Sequence, residues 1–147
     1  GDAAWLPRAR MLSNRVYEFT EYVVDKLGVT DLGARWNGIL TYHPSCHTLR
    51  GMSVDRQPRA LLANVRDAQI VELPHADECC GFGGIFSMEH PELSTEWLKR
   101  KIRNLEDTQS PTLVVTDAGC LMHIAGGLHR QQKAQNVLHI AEVLNHR

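Results

Sequence analysis

The chain has 147 residues, the size of one ordinary domain that buries its own core without disulfides. Its formal net charge is −1, so it lacks the basic surface that attracts nucleic acid or anionic membranes, and neither partner is expected. Apolar runs are too short to cross a bilayer, and the N-terminus lacks a basic segment followed by an apolar one. We therefore predict a cytoplasmic protein with no membrane span.

The first predicted element is an amphipathic helix over about residues 8–27. Apolar residues recur there at steps of three and four, and Gly28 follows where a left-handed C-cap fits. The sequence begins with Gly1 rather than methionine and opens directly on this helical pattern. We expect one domain over residues 1–147, with further residues upstream in the natural protein.

The first two predicted strands each lead to a cysteine. Residues 38–43 are rich in strand formers and run into a proline that cannot continue a strand, shortly before Cys46. Residues 69–73 form the second predicted strand, and the loop beyond it carries the adjacent pair Cys79 and Cys80. Both cysteine positions therefore follow the carboxyl end of a strand.

The second half of the chain repeats this arrangement. A helix is predicted from Pro91 to about residue 106, and residues 112–116 have the nearly continuous apolar pattern of a strand buried on both faces. Cys120 follows that strand and opens a helix predicted over about residues 121–132. A short fourth strand at about residues 137–140 precedes a terminal helix.

Alternation of strands and helices decides the fold class. A short helix over about residues 58–65 adds to the elements above, and helices of this length serve as crossovers between parallel strands. We predict an α/β fold with a small, mostly parallel sheet of about four strands flanked by helices. In such sheets ligands bind beyond the carboxyl ends of the strands, so the four cysteines are expected to meet there.

Four thiolates suit two kinds of metal group. They form the ligand set of a structural zinc site and also of a [4Fe–4S] cluster, and the usual closely spaced C-x₂-C pairs of either are absent. The site residues we propose from the sequence are Cys46, Cys79, Cys80 and Cys120. His43, His47 and His123 lie close enough in sequence to the cysteines to compete as ligands. Of these, His123 is one helical turn beyond Cys120 and is the additional candidate ligand. No catalytic residue is assigned.

Three short blocks of sequence, residues 42–47, 78–84 and 119–123, resemble the cysteine-rich CCG domain. In these blocks the sequence is similar to the lactate-utilization and glycolate-oxidase branch of that family, and the B subunit of heterodisulfide reductase is a further relative. Members usually carry two cysteine-rich halves, and this chain resembles the C-terminal half alone. The resemblance implies that an N-terminal half of the same protein is missing from the chain.

The same resemblance implies an iron–sulfur electron-transfer function. It implies a cytoplasmic subunit of an oxidoreductase, which works with partner subunits in the oxidation of L-lactate or glycolate. In heterodisulfide reductase five cysteines hold an unusual [4Fe–4S] cluster, and here His123 stands in the place of the last of them. Two alternatives stay open, a zinc-stabilised assembly domain without catalysis and a metal-free thiol–disulfide redox protein.

Overall fold

A parallel sheet of four strands forms the centre of the structure, a computed structural model that describes residues 2–147. The strands are β1 (Arg35–His43), β2 (Arg66–Val71), β3 (Thr112–Val115) and β4 (Asn136–His139). Their order across the sheet is β2-β1-β3-β4, and every neighbouring pair is parallel. The predicted α/β fold with about four strands is confirmed.

Helices cover both faces of this sheet. They are α1 (Leu6–Ser13), α2 (Phe19–Glu21), α3 (Arg56–Ala63), α4 (Phe86–Glu89), α5 (Pro91–Asp107), α6 (Ala118–Arg130) and α7 (Ile140–Leu144), with π-helical turns at Tyr22–Lys26 and His47–Gly51. No helix within residues 2–147 combines the length and the apolar character needed to span a bilayer.

Strand alternation divides the core into two layers. Leu40 and Val114 belong to one apolar cluster, which also receives side chains from α3, α7 and the turn after α2. Leu113 and Val115 point to the opposite face, into a second cluster with α5 and α6. Cys80 and Cys120 belong to that second cluster, so the candidate site is built on the α5–α6 side of the sheet.

The single helix predicted over residues 8–27 is divided in the structure. α1 ends at Ser13, and Glu18 has an extended backbone with ψ of 152° before α2 begins. The Glu18 carboxylate accepts hydrogen bonds from the backbone N–H groups of Thr20 and Glu21, which is a capping box that starts a new helix. No residue of α1 is buried, so packing does not oppose the break.

The second strand also differs from its predicted range. β2 spans Arg66–Val71 rather than residues 69–73, and β1 begins three residues earlier than expected, at Arg35. β2 is an edge strand whose residues are mostly exposed, so its apolar pattern is weak. Pairing of Arg35 with Arg66 extends both strands towards their N-termini. Leu73, which belongs to the predicted strand, is buried but lies beyond the end of β2.

Two adjacent glycines of α6 give a matched test of this packing. A Cβ atom on Gly127 would lie 2.7 Å from Leu98 and 3.1 Å from Ile102 on α5, whereas one on Gly126 would meet no atom within 4 Å. We expect Gly126→Ala to raise the free energy of unfolding by about 1 kcal/mol through helix propensity. Gly127→Ala should lower the free energy of unfolding by roughly 1 kcal/mol, because overpacking against α5 costs more than the gain in helix propensity. Urea unfolding measures both, and stabilisation by both substitutions would contradict the packing.

Candidate metal centre

The order of the strands places the candidate site between β1 and β3. β2 lies on one side of β1, and β3 lies on the other. The chain leaves β1 towards β2 and leaves β3 towards β4, so the two loops diverge and open a crevice at the carboxyl edge of the sheet. Cys46 follows β1, and Cys120 lies in the first turn of α6 after β3. Cys79 and Cys80 enter from the loop between β2 and α4.

All four predicted cysteines line one cavity of about 240 Å³. The Sγ atoms of Cys80 and Cys120 are 3.2 Å apart, and those of Cys46 and Cys79 are 4.0 Å apart. Each is a free thiol. The structure therefore brings together two close pairs of sulfur atoms that are separated by more than 30 residues in sequence.

The two pairs differ in exposure. Cys80 and Cys120 are buried at 2% and 4% of their full exposure, whereas Cys46 and Cys79 are half-buried and form the mouth of the cavity. The Gly81 N–H group donates to the Cys79 sulfur at 3.4 Å. An inner pair thus sits in the apolar core, and an outer pair faces solvent.

Close packing of the thiols opposes their ionisation. A hydrogen bond to the Cys120 sulfur raises the pKa of Cys80 to about 12, and a hydrogen bond with Cys80, followed by burial, raises the pKa of Cys79. Burial also raises the pKa of Cys46. Sulfur atoms this close become thiolates when a bound cation supplies the opposing charge. The donor set therefore fits a metal ion or an iron–sulfur cluster.

His43, the last residue of β1, joins the inner pair. One of its ring nitrogens and the sulfur atoms of Cys80 and Cys120 all lie within 4.8 Å of one another. The side chain is fully buried, Nδ1 is 3.2 Å from the Ala76 carbonyl oxygen, and Nε2 has no hydrogen-bond partner. Burial, with the nearby charge of Lys101, lowers the pKa of His43 to about 3, so the ring is neutral.

A buried lysine supports the loop that carries the Cys79–Cys80 pair. Lys101 of α5 has no exposed surface, and its Nζ donates to the carbonyl oxygens of His75 at 2.9 Å and Ala76 at 3.4 Å. The sequence carried a signal for this role, because Lys101 follows Leu98 by three residues and so lies on the apolar face of the helix. Sequence reasoning placed no functional residue there.

His123 takes a different place from the one its spacing suggested. Its ring lies against Phe82, with the centroids 5.7 Å apart, and Nε2 is 3.4 Å from the Ser94 hydroxyl. Burial, and secondly the charge of Arg130, lowers its pKa. Within residues 2–147, the group of closely spaced ligand atoms consists of His43, Cys80 and Cys120, and it does not include His123 or the outer pair of Cys46 and Cys79.

Comparison with known proteins assigns the chain to a family. The model of the CCG cysteine-rich domain matches residues 40–125, which include all four cysteines. The chain is 47% identical over 145 residues to "Lactate utilization protein A" of Oceanobacillus iheyensis, covering 99% of the chain and 59% of that relative. It is 46% identical to the protein of the same name in Lysinibacillus sphaericus (99% of the chain, 64% of the relative) and 42% identical to that of Bacillus subtilis (99% and 61%). The chain thus spans about three fifths of the length of these relatives.

Proposed function

Because the chain belongs to the family of the CCG cysteine-rich domain, we propose that it is the iron–sulfur electron-transfer part of a complex that oxidises a 2-hydroxy acid. The observation that carries this proposal is the convergence of four free thiols in one cavity at the carboxyl edge of the sheet. The relatives are named for lactate utilization, which favours L-lactate over glycolate as the substrate of the complex. In this proposal the chain is a subunit of an oxidoreductase rather than an enzyme by itself.

The chain's own residues hold and shield the redox group. Cys46, Cys79, Cys80 and Cys120 supply thiolate ligands for a cluster of the [4Fe–4S] type. When bound, such a cluster accepts and donates single electrons. The inner cysteines lie in the apolar core and exclude water, whereas the half-buried outer pair leaves a short path to the surface. This asymmetry suits electron exchange with a partner docked at the mouth of the cavity.

Exposed apolar side chains around the site support such a partner. Ile85 and Met88 follow the glycine-rich wall of the cavity at 69% and 80% exposure, and Met122 follows Cys120 at 62%. Trp97 shares a second, smaller cavity with Cys79. Large exposed apolar residues close in sequence to a functional site are typical of interaction surfaces. We propose that other subunits of the complex, or the remaining part of a longer polypeptide, dock here.

The four unbridged thiols also favour a cytoplasmic location, because sulfur atoms this close would oxidise in a secretory compartment. A metal group bound by these thiolates should be sensitive to oxygen for the same reason. The proposed location and the cofactor are thus consistent with each other.

Anaerobic purification with iron and sulfide analysis tests the proposed function. We expect iron and acid-labile sulfide in equal amounts, close to four of each per chain, and an EPR signal that changes on reduction with dithionite. Reconstitution with ferrous iron and sulfide should restore both to protein purified in air. Stoichiometric zinc with no iron after reconstitution would overturn the proposal in favour of a zinc-stabilised assembly domain. Protein that retains neither metal would favour a thiol–disulfide function.

A further inference from the structure

We propose that His43 is a direct ligand, through Nε2, of the metal group that Cys80 and Cys120 hold. This inference rests on the proposed function in one respect, namely that the cavity binds a metal ion or cluster. The inference adds an imidazole to the four thiolates as a candidate ligand. Imidazole binds borderline Lewis acids, so the metal would be iron or zinc. The sequence places His43 among three histidines near the cysteines, but its spacing does not single it out as a ligand.

The burial of one ring nitrogen of His43 indicates that this nitrogen binds a ligand. His43 has no exposed surface, and within residues 2–147 its Nε2 has no hydrogen-bond partner. A buried polar atom without a partner costs about 1–3 kcal/mol, so such atoms are rare and need an explanation. Coordination of a metal by Nε2 removes this cost.

The position of the His43 ring also favours a site shared with Cys80 and Cys120. His43 pairs in register with Val115 at the carboxyl ends of β1 and β3. In-register residues of parallel strands point to the same face, and Val115 belongs to the apolar cluster that contains Cys80 and Cys120. A ring nitrogen and both sulfur atoms then lie within 4.8 Å of one another. Zn–S and Zn–N bonds are about 2.3 and 2.0 Å long, so one bound ion would hold a nitrogen and a sulfur at most about 4.3 Å apart, slightly closer than the 4.8 Å limit of this group.

The contact that holds the His43 ring is typical of a metal-binding histidine. Nδ1 is 3.2 Å from the Ala76 carbonyl oxygen, so the proton belongs on Nδ1 and the lone pair of Nε2 is left free for a metal. Metal-binding histidines usually donate their other ring N–H in this way, which fixes the tautomer and the ring orientation. The buried Lys101 donates to the same carbonyl at 3.4 Å and fixes its position.

The test compares His43 with His123, the histidine that sequence spacing suggested. His43→Asn keeps a donor in the position of Nδ1 and removes Nε2, and His123→Asn is the matched control. The reduced 147-residue chain is loaded with one equivalent of Zn²⁺ under anaerobic conditions, and X-ray absorption at the zinc edge identifies the ligands. Because zinc takes four ligands, the imidazole replaces one of the half-buried thiolates, and we expect three sulfur atoms and one imidazole nitrogen in the wild type and in His123→Asn. In His43→Asn the imidazole scattering should be lost.

Affinity gives a second readout. We expect His43→Asn to weaken Zn²⁺ binding by at least the roughly 10- to 100-fold that loss of a ligand's hydrogen-bond partner costs, whereas His123→Asn should bind as tightly as the wild type. A wild-type zinc shell of four sulfur atoms, or loss of imidazole scattering in His123→Asn, would overturn the inference. The wild-type spectrum decides even if His43→Asn does not fold. Because the probe is zinc, failure to assemble an iron–sulfur cluster would overturn the proposed function without touching this result.

Discussion

Cys80→Ser is expected to abolish cofactor binding, with iron and sulfide falling below one tenth of the wild-type content. Cys80 is buried at 2% exposure, and its sulfur lies 3.2 Å from that of Cys120, so less solvent is available to replace it than at the half-buried Cys46. A serine hydroxyl is a poor substitute, because iron–sulfur clusters and zinc prefer soft thiolate ligands. Iron and sulfide analysis after anaerobic reconstitution, together with EPR, measures the loss.

Cys46→Ser is the matched control for this prediction. Cys46 is half-buried at the mouth of the cavity, where water can take the place of a missing ligand. We expect this variant to retain a substantial part of the cofactor, with an altered EPR signal. Equal retention by the two variants would show that the inner pair is no more important than the outer pair. Near-UV circular dichroism of both metal-free variants checks that the fold is intact.

Gly81→Ala is expected to lower the free energy of unfolding by about 3 kcal/mol, from backbone strain together with overpacking. Gly81 has φ of +94°, which a residue with a side chain rarely adopts. A Cβ atom there would lie 2.5 Å from the backbone oxygen of Ser94 and 3.1 Å from the Cβ of Trp97, both on α5. A helix backbone cannot give way as a flexible side chain does, so the loop itself must move. Urea unfolding of the metal-free protein measures the effect.

Gly84→Ala separates strain from collision, because Gly84 also has a positive φ, of +60°, yet a Cβ there would meet no atom within 4 Å. We expect it to cost only about 1–2 kcal/mol, the strain of the left-handed conformation alone. Gly81→Ala should also reduce iron content, since the displaced loop carries Cys79 and Cys80. A similar loss of stability in both variants would mean that the contact with Ser94 has no energetic effect.

Local sequence patterns were sufficient to predict the parts of the site that follow from strand ends. The proline after β1 and the continuous apolar run of β3 fixed where those strands stop, and hence where Cys46 and Cys120 lie. The same patterns failed where local signals were weak. The exposed edge strand β2 begins and ends earlier in the chain than predicted. The capping box at Glu18 divides the single helix that was predicted over residues 8–27. Those elements depend on pairing and capping contacts rather than on apolar periodicity.

The sequence by itself thus determined the fold class, the four cysteines and the edge of the sheet at which they gather. Only the tertiary structure decided which side chains face them, because that depends on strand order and on register between segments far apart in sequence. The register of β1 with β3 turns His43 towards the cysteines, while packing on Phe82 and Ser94 holds His123 elsewhere. Helical spacing from Leu98 places Lys101 on the apolar face of α5, but only the packing of that helix brings its Nζ to the loop before Cys79 and Cys80.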